Sequence, residues 1–481
     1  MRDGRWWALI VLALAQLMVV LDATIVNISL PAAQHDLRFS DADRQWVVTG
    51  YALAFGSLLL LGGRLSDLAG RRRMLLIGFA GFAAASAAGG AATGIEMLIA
   101  ARVAQGVFGA ALAPAALSLL STTFTTPADR AKAFAVYGAI AGGGSAVGLL
   151  LGGVLTEYAN WRWCLLVNIP IALIALALAI PLVPESRAGG NTKYDIPGAV
   201  VITLGLTSLV YGFSEAAKPE NGWDSAETIG FIGVGVVLIA IFVWIERRSA
   251  NPLLPLRVIL DRNRGGAFLT SMLVGAGLFG AFLFLTLYLQ NVLGYKPLEA
   301  GFASLPVTVG VLIAATAASN LLPRVGPKPL MIIGPVLAAV GMISLRWIDL
   351  DTSFWAHLMP AQVLLGLGLG FTFVPLSSLA LYGVPAHDAG AASAALNATQ
   401  QVGGSLGTAL LNTIATSAIA TYLAANIPPN QETPLLAQVD GYSAAFTWAA
   451  GLILLAAVVT AIFIKVQKED LPSGDAVAHV G

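Results

Sequence analysis

Charge is what this chain has least of. Asp, Glu, Lys and Arg make up 11% of its 481 residues, against roughly a quarter in an average soluble domain. So few charges cannot cover a globular surface, and a water-soluble fold is excluded. Cysteine is nearly absent as well. Cys164 stands alone, which excludes internal disulfides and cysteine-rich metal sites; it reads as a small apolar residue near a helix end. The four histidines, His35, His357, His387 and His479, read as loop or tail residues, where solvated side chains are expected. No glycine-rich loop ending in Gly-Lys-Ser/Thr occurs, so no nucleotide-driven machinery is expected. No Ser/His/Asp or metal-binding constellation is visible either. The formal net charge of zero carries no sign of a nucleic-acid partner. No cofactor, metal ion, nucleic acid or enzymatic activity is expected.

Apolar residues fill the space that charge leaves. They make up 57% of the chain, and the mean hydropathy is +0.80. A span needs about 20 mostly apolar residues. Such stretches run over 6–30, 45–63, 74–93, 97–120, 133–156, 163–183 and 196–214. Seven more cover 228–245, 266–290, 300–322, 329–347, 356–380, 390–420 and 442–464. The expected fold is therefore all-α, a polytopic membrane protein of fourteen helices, with the lipid bilayer as its surroundings. The first stretch is too long for a signal-peptide core, and no convincing cleavage site follows it.

Basic residues test the count, because they gather on the cytoplasmic side. With the N-terminus inside, nineteen of the 26 Lys and Arg residues fall on the inner side, six on the outer side, and Arg102 lies within a span. Dropping one span would reverse every later loop and destroy that bias. Both termini are expected in the cytoplasm.

The chain also repeats itself. LSDLAGRRRMLLIG (Leu65–Gly78) is echoed by LLPRVGPKPLMIIG (Leu321–Gly334), with Gly70 on Gly326 and Gly78 on Gly334. GGSAVG (Gly143–Gly148) is echoed by GGSLG (Gly403–Gly407). Both matches pair a span with the one eight later. The expected organisation is a six-helix half over 1–190, two additional spans over 191–250, and a second six-helix half with a short tail over 251–481. Parallel repeats of this kind suit a rocking transporter with its site near the bilayer midplane.

Two charges break the apolar pattern. Asp22 lies inside the first span, where a carboxylate costs about 2.5–3.5 kcal/mol on insertion scales. Leu30 at the outer end is eight residues on, which sets Asp22 roughly 12 Å deep. Arg102 in the fourth span lies at a similar depth, and Glu96, Glu157, Glu215, Glu246 and Glu299 all fall near span ends. A neighbouring cation favours the ionised carboxylate while burial favours the neutral form, so the pair reads either as a proton switch or as a static strut.

Five segments then resemble a known family. LDATIVNISLP (Leu21–Pro31), GGRLSDLAGRRRM (Gly62–Met74), LIAARVAQGVFGAA (Leu98–Ala111) and the pair WRWCLLVNIP (Trp161–Pro170) and LYLQNVLGY (Leu287–Tyr295) are similar to motifs of the major facilitator superfamily, and within it the fourteen-span drug:proton antiporters. The resemblance covers nearly the whole chain. It implies proton-coupled export of small amphiphilic compounds by alternating access across a bacterial cell membrane, by a chain expected to work as a monomer. One departure stands out: the fifth-span motif reads GLLLGG (Gly148–Gly153), with Leu149 where the family has proline. That leaves a proton-linked importer of a nutrient or siderophore as the alternative. A sensor or scaffold fits less well, for lack of a sizeable soluble domain.

The site residues follow. Asp22 and Arg102 are expected to couple protons. Gly63, Asp67, Gly70, Arg71 and Arg72 are expected to latch one conformation, through a carboxylate meeting a positive helix N-terminus and arginines pairing with acids of other spans. Gly144, Gly148, Gly152 and Gly153 let the fifth span pack closely during rocking. A substrate cavity is expected from Asn27, Gln105, Phe282, Tyr288, Gln290, Asn397, Gln400 and Gln401, with Phe279, Phe284, Phe371 and Phe373 as further rings. Aromatic faces suit lipophilic or cationic molecules.

Overall fold

Apolar stretches this long must pair every backbone amide and carbonyl within themselves, because hydrocarbon offers no partner. The computed structural model describes residues 2–124, 127–187, 195–216, 221–249, 252, 259–382, 384, 389–426 and 430–466. Among these residues every ordered element is helical. The first nine helices are α1 (Arg2–Leu37), α2 (Asp41–Ala69), α3 (Arg71–Gly90), α4 (Ile95–Thr123), α5 (Pro127–Tyr158), α6 (Trp163–Leu166), α7 (Asn168–Leu182), α8 (Ile196–Ala216) and α9 (Ala226–Arg248). Seven follow: α10 (Arg262–Leu287), α11 (Pro297–Ala303), α12 (Leu305–Val325), α13 (Pro327–Ser344), α14 (Met359–Leu381), α15 (Ala389–Ala425) and α16 (Thr433–Phe463).

Val167 alone separates α6 from α7, and Ser304 alone separates α11 from α12; both keep right-handed helical dihedrals. Each pair therefore makes one span. All fourteen expected stretches fall on a helix or such a pair. Thirteen of these have the length and hydropathy to cross a bilayer, and α5, 32 residues long, is the other. We call the side where α1 begins and α16 ends the near face, and the opposite side the far face.

The helices outrun the apolar stretches, since backbone pairing does not stop where hydrocarbon does. α1 passes through Pro31 and continues to Leu37, so Asp22 lies about 22 Å along the axis from that end, deeper than the sequence suggested. The expectation of solvated histidines agrees with His35 and is corrected for His357. His35 sits exposed in the last turn of α1. His357 lies half-buried in a π-helical turn, its Nε2 2.7 Å from the Ser344 carbonyl oxygen, to which it donates. His387 and His479 lie outside the described residues.

Close approach explains the packing. α1 packs on α4, α5 and α7, and α4 packs on α2 and α3. Further on, α10 packs on α15 and α16, and α14 on α12 and α13. A methyl group on Gly148 would overlap Thr24 of α1; one on Gly407 would overlap Ala276 of α10. The two glycine echoes thus sit at the same kind of helix–helix contact. Gly70 and Gly326 likewise match: each joins two helices with a positive φ, 112° and 79°, which glycine adopts without steric cost. α2 and α15 pack on each other, and α8 rests against both. Trp46 Nε1 donates to Ser214 Oγ at 2.9 Å, and Thr413 Oγ1 donates to the Phe213 carbonyl oxygen at 2.7 Å.

Candidate functional site

Asp22 is fully buried, 0% exposed, and three helices meet at its carboxylate. From α4, Arg102 donates through Nη1 to Oδ2 at 2.5 Å. Gln105, one turn further along α4, donates through Nε2 to Oδ1 at 2.9 Å. Asn168 at the start of α7 donates through Nδ2 to the same oxygen at 2.9 Å. Gln105 also receives an Arg102 N–H on Oε1 at 2.8 Å and donates to Ser86 of α3 at 2.8 Å. The guanidinium is fixed further by a 2.9 Å bond from Nε to the Val47 carbonyl oxygen and by the Tyr51 ring of α2, 4.5 Å away.

The sequence expectation of an acid and a base at one level describes this pair. Its amide partners are not part of that expectation: the fully buried carboxylate takes one charged donor and two amide donors. A buried charge is tolerated only when paired and hydrogen-bonded, and here both conditions hold. Asn168 was missed because a single Asn in WRWCLLVNIP looks like any polar break. The available signal was the spacing Trp161, Leu165, Asn168, which puts all three on one helical face. Its Oδ1 is buried without a hydrogen-bond partner, and buried orphan acceptors are uncommon.

Glu215 and Glu246 lie near helix ends as expected, but both are buried, 2% and 3% exposed. Each belongs to the α8–α9 pair, far along the chain from Asp22.

At the near face, Gly70 leads into α3, whose first amides lack intrahelical partners. Glu185, from the segment after α7, fills that role: its Oε1 accepts from the Arg72 backbone N–H at 3.1 Å. Arg71 Nη1 donates to Ser186 Oγ at 3.0 Å, and Arg72 Nη2 to the Ile180 carbonyl oxygen at 2.5 Å. The acid at the helix N-terminus here is Glu185, which sequence reasoning did not single out. The Asp67 side chain lies outside the described residues. Gly63 has room, with Pro114 at 3.6 Å from a built Cβ.

Gly144, Gly148 and Gly152 face Val20, Thr24 and Ile25 of α1. Gly153 faces the other way, its built Cβ 2.6 Å from Leu298 Cα at the start of α11. With Leu149 in place of proline, α5 runs unbroken to Tyr158. At the far face Gln290 Nε2 donates to the Ile28 carbonyl oxygen at 2.9 Å, and the Leu298 backbone N–H donates to Glu157 Oε2 at 3.2 Å. These bonds join the early helices to the later ones at that face.

The expected cavity residues are dispersed by these contacts. Gln105 belongs to the carboxylate cluster and Gln290 to the far-face closure. Tyr288 is fully buried and donates to the Asp349 carbonyl oxygen at 2.5 Å. Phe284 is buried against Tyr442, with ring centroids 5.6 Å apart. Amide and phenol groups that can reach a partner in the core do so, because an unmade bond there is costly. Asn397 is exposed and donates to the Ser393 carbonyl oxygen. Asn27, Phe279, Phe282, Phe371, Phe373, Gln400 and Gln401 are half-buried, and Gln401 packs its Cβ toward Gly56 of α2.

Comparison with known proteins bears on what such a site does. The profile of the Major Facilitator Superfamily matches residues 12–408. A puromycin resistance protein of Streptomyces alboniger is 49% identical over 473 residues, covering 97% of this chain and 92% of that protein. A cephamycin export protein of Amycolatopsis lactamdurans is 39% identical, covering 85% and 84%. A tetracenomycin C resistance and export protein of Streptomyces glaucescens is 32% identical, covering 98% and 93%. Among solved structures, an inward-facing, unoccupied bacterial homolog of the human lysosomal transporter Spinster superposes with a TM-score of 0.66 at 15% identity, covering 98% of this chain and 100% of that one. That last likeness concerns fold alone.

Proposed function

This chain belongs to the Major Facilitator Superfamily, a multi-pass membrane transporter rather than an enzyme, and on that footing we propose that it exports small amphiphilic compounds, of the antibiotic class, in exchange for protons. The observation that carries the coupling is the fully buried Asp22–Arg102 pair with two amide donors. Relatives bearing resistance and export names favour export over the import of a nutrient or siderophore.

In this reading both termini are cytoplasmic, so the far face is external and the bonds there hold an inward-facing state. The two six-helix groups, 1–190 and 251–481, rock about the α2–α15 and α5–α11 contacts, with α8 and α9 as a flank. Ionised Asp22 accepts three donors. Once protonated it carries an O–H, and the Asn168 amide, rotated by half a turn, offers its orphan Oδ1 to that hydrogen. One side chain thus serves both protonation states. Protonation also frees an Arg102 bond, and the α1–α4–α7 packing shifts with it. A proton moving inward supplies about 2.3 kcal/mol per 100 mV of membrane potential.

The direct test is expression in a bacterium stripped of its own pumps, against a panel of dyes and antibiotics. With Asp22 committed to Arg102, the cavity has little spare negative charge, and burying the second charge of a dication without a partner is unfavourable. Neutral or monovalent lipophilic compounds are expected to be exported, and compact dications to compete weakly for transport in inverted vesicles. Tight competition by a dication, lost on neutralising Asp22, would show that further acids reach the cavity.

The near-face latch gives a second expectation. An acid at a helix N-terminus contributes about 0.3–1 kcal/mol, so Glu185→Gln is expected to slow turnover roughly two- to fivefold without changing substrate affinity. Equal losses in both would mark Glu185 as purely structural.

A further inference from the structure

The residues that hold Asp22 continue as three rows toward the far face. On α1 the row is Asp22, Val26, Ser29, Ala33 and Asp36. On α4 it is Leu98, Arg102 and Gln105. The third is Trp161 in the turn before α6, Leu165 of α6 and Asn168 of α7. Steps of four and three keep each row on one side of its helix. The inner members form the carboxylate cluster already described. Between them and the far face, Ser29, Ala33, Leu98 and Leu165, with Arg102 beneath and Trp161 above, line a cavity of about 10 Å³, close to what one water needs.

Trp161 is pinned over this cavity from outside. Its Nε1 donates to Asp36 Oδ2 at 3.0 Å. Arg162 Nη1 donates to the same oxygen at 2.6 Å, and Nη2 to the Ala92 carbonyl oxygen at 2.8 Å. The Arg162 guanidinium lies 4.5 Å over the Trp161 ring. Trp161 is 5% exposed, whereas the Asp36 side chain is 52% exposed. A buried ring is thus held by charged groups that face solvent.

We propose that these rows are the route by which an external proton reaches Asp22. Trp161 is the lid, Asp36 and Arg162 are its catch, the cavity seats one relay water, and Arg102 is the inner gate. This rests on the proton-coupled reading above and adds the path. The proton passes from external water to the relay water, and from there to Asp22 Oδ2, and a half-turn of the carboxyl group then carries the O–H to Asn168. The relay water's O–H bond breaks as the carboxyl O–H forms, and the water regains its proton from outside. Arg102 stays protonated; its Nη1 leaves Oδ2 for the cavity while Nε keeps the Val47 carbonyl. The other titratable groups near Asp22 are Tyr51 of α2 and Cys164 of α6, and at the mouth His35 stands beside Asp36. The rows lie among α1, α4 and α6–α7, whereas the far-face bonds to the later helices come from Ile28 and Glu157. Proton and substrate therefore travel on separate surfaces.

The test is a graded filling of the cavity, Ala33→Ser, Ala33→Val and Ala33→Leu, in proteoliposomes beside Asp22→Asn. Two rates are read: transport driven by an imposed pH gradient, and substrate-for-substrate exchange without one. Gradient-driven transport is expected to fall stepwise, by about 100-fold for Leu, the low end of what a missing proton-transfer group costs, while exchange holds. A gradient-driven rate that stays flat across the folded members overturns the route. If Asp22→Asn loses gradient-driven transport in the same experiment, only the route fails; if Asp22→Asn also keeps it, the coupling reading fails and the route with it.

Discussion

Asp22→Asn is expected to bring substrate accumulation in energised vesicles down to unity. One proton at 100 mV supplies about 2.3 kcal/mol, enough to sustain a gradient of about 40-fold at 1.4 kcal/mol per tenfold. A side chain that cannot take up a proton supplies none of it. The amide is nearly isosteric, and Asn168 can turn its orphan oxygen toward the new N–H group, so folding and substrate binding are expected to persist. Substrate exchange across the membrane should continue, because rocking needs no net proton. Accumulation well above unity in Asp22→Asn vesicles under a pH gradient would place the coupling elsewhere.

Arg102→Ala is expected to do the larger damage to stability. Removing one member of a buried pair leaves the other charge without compensation and costs about 3–5 kcal/mol. Two amide donors remain for Asp22, but neither carries charge. Tyr51 loses its cation as well, and the Val47 carbonyl loses its donor. Adding Asp22→Asn to Arg102→Ala removes the stranded carboxylate, so the double variant is expected to regain a good part of the loss. Thermal unfolding in detergent reads this as a partial recovery of the midpoint. Strictly additive losses would mean that the two side chains do not act as a pair, since contacting residues normally depart from additivity.

Much of this was legible in the sequence. Hydropathy set the number of spans, because hydrocarbon forces each apolar stretch to be a helix. The Gly70–Gly326 echo also held information, since both positions need a positive φ between two helices. Asp22 and Arg102 stood out because charge inside a span is expensive. Helix ends were less legible: hydropathy stops at the edge of the hydrocarbon, whereas α1 keeps pairing its backbone to Leu37. The partners of the charges were harder still. Asn168 and Ser86 are ordinary polar residues in sequence, and only the crossing of α1, α3, α4 and α7 brings Asn168 to the carboxylate and Ser86 to Gln105 beside it. Gln105 was expected at a substrate surface, but its side chain points into the same cluster, one turn from Arg102. Glu185 was passed over because its role depends on where the chain after α7 returns, beside the start of α3. Sequence marks which side chains are costly to bury, and the fold decides what compensates them.

Antiport requires that a proton on Asp22 and a bound substrate disfavour one another through the fold, since the two travel on separate surfaces. The most direct test adds substrate to purified protein in weakly buffered detergent solution and follows pH. Wild-type protein is expected to release up to about one proton per chain on saturation, as antagonism between two linked ligands demands, and Asp22→Asn to bind the same substrate with no release. Equal release from both proteins, or none from the wild type while substrate binds, would contradict it.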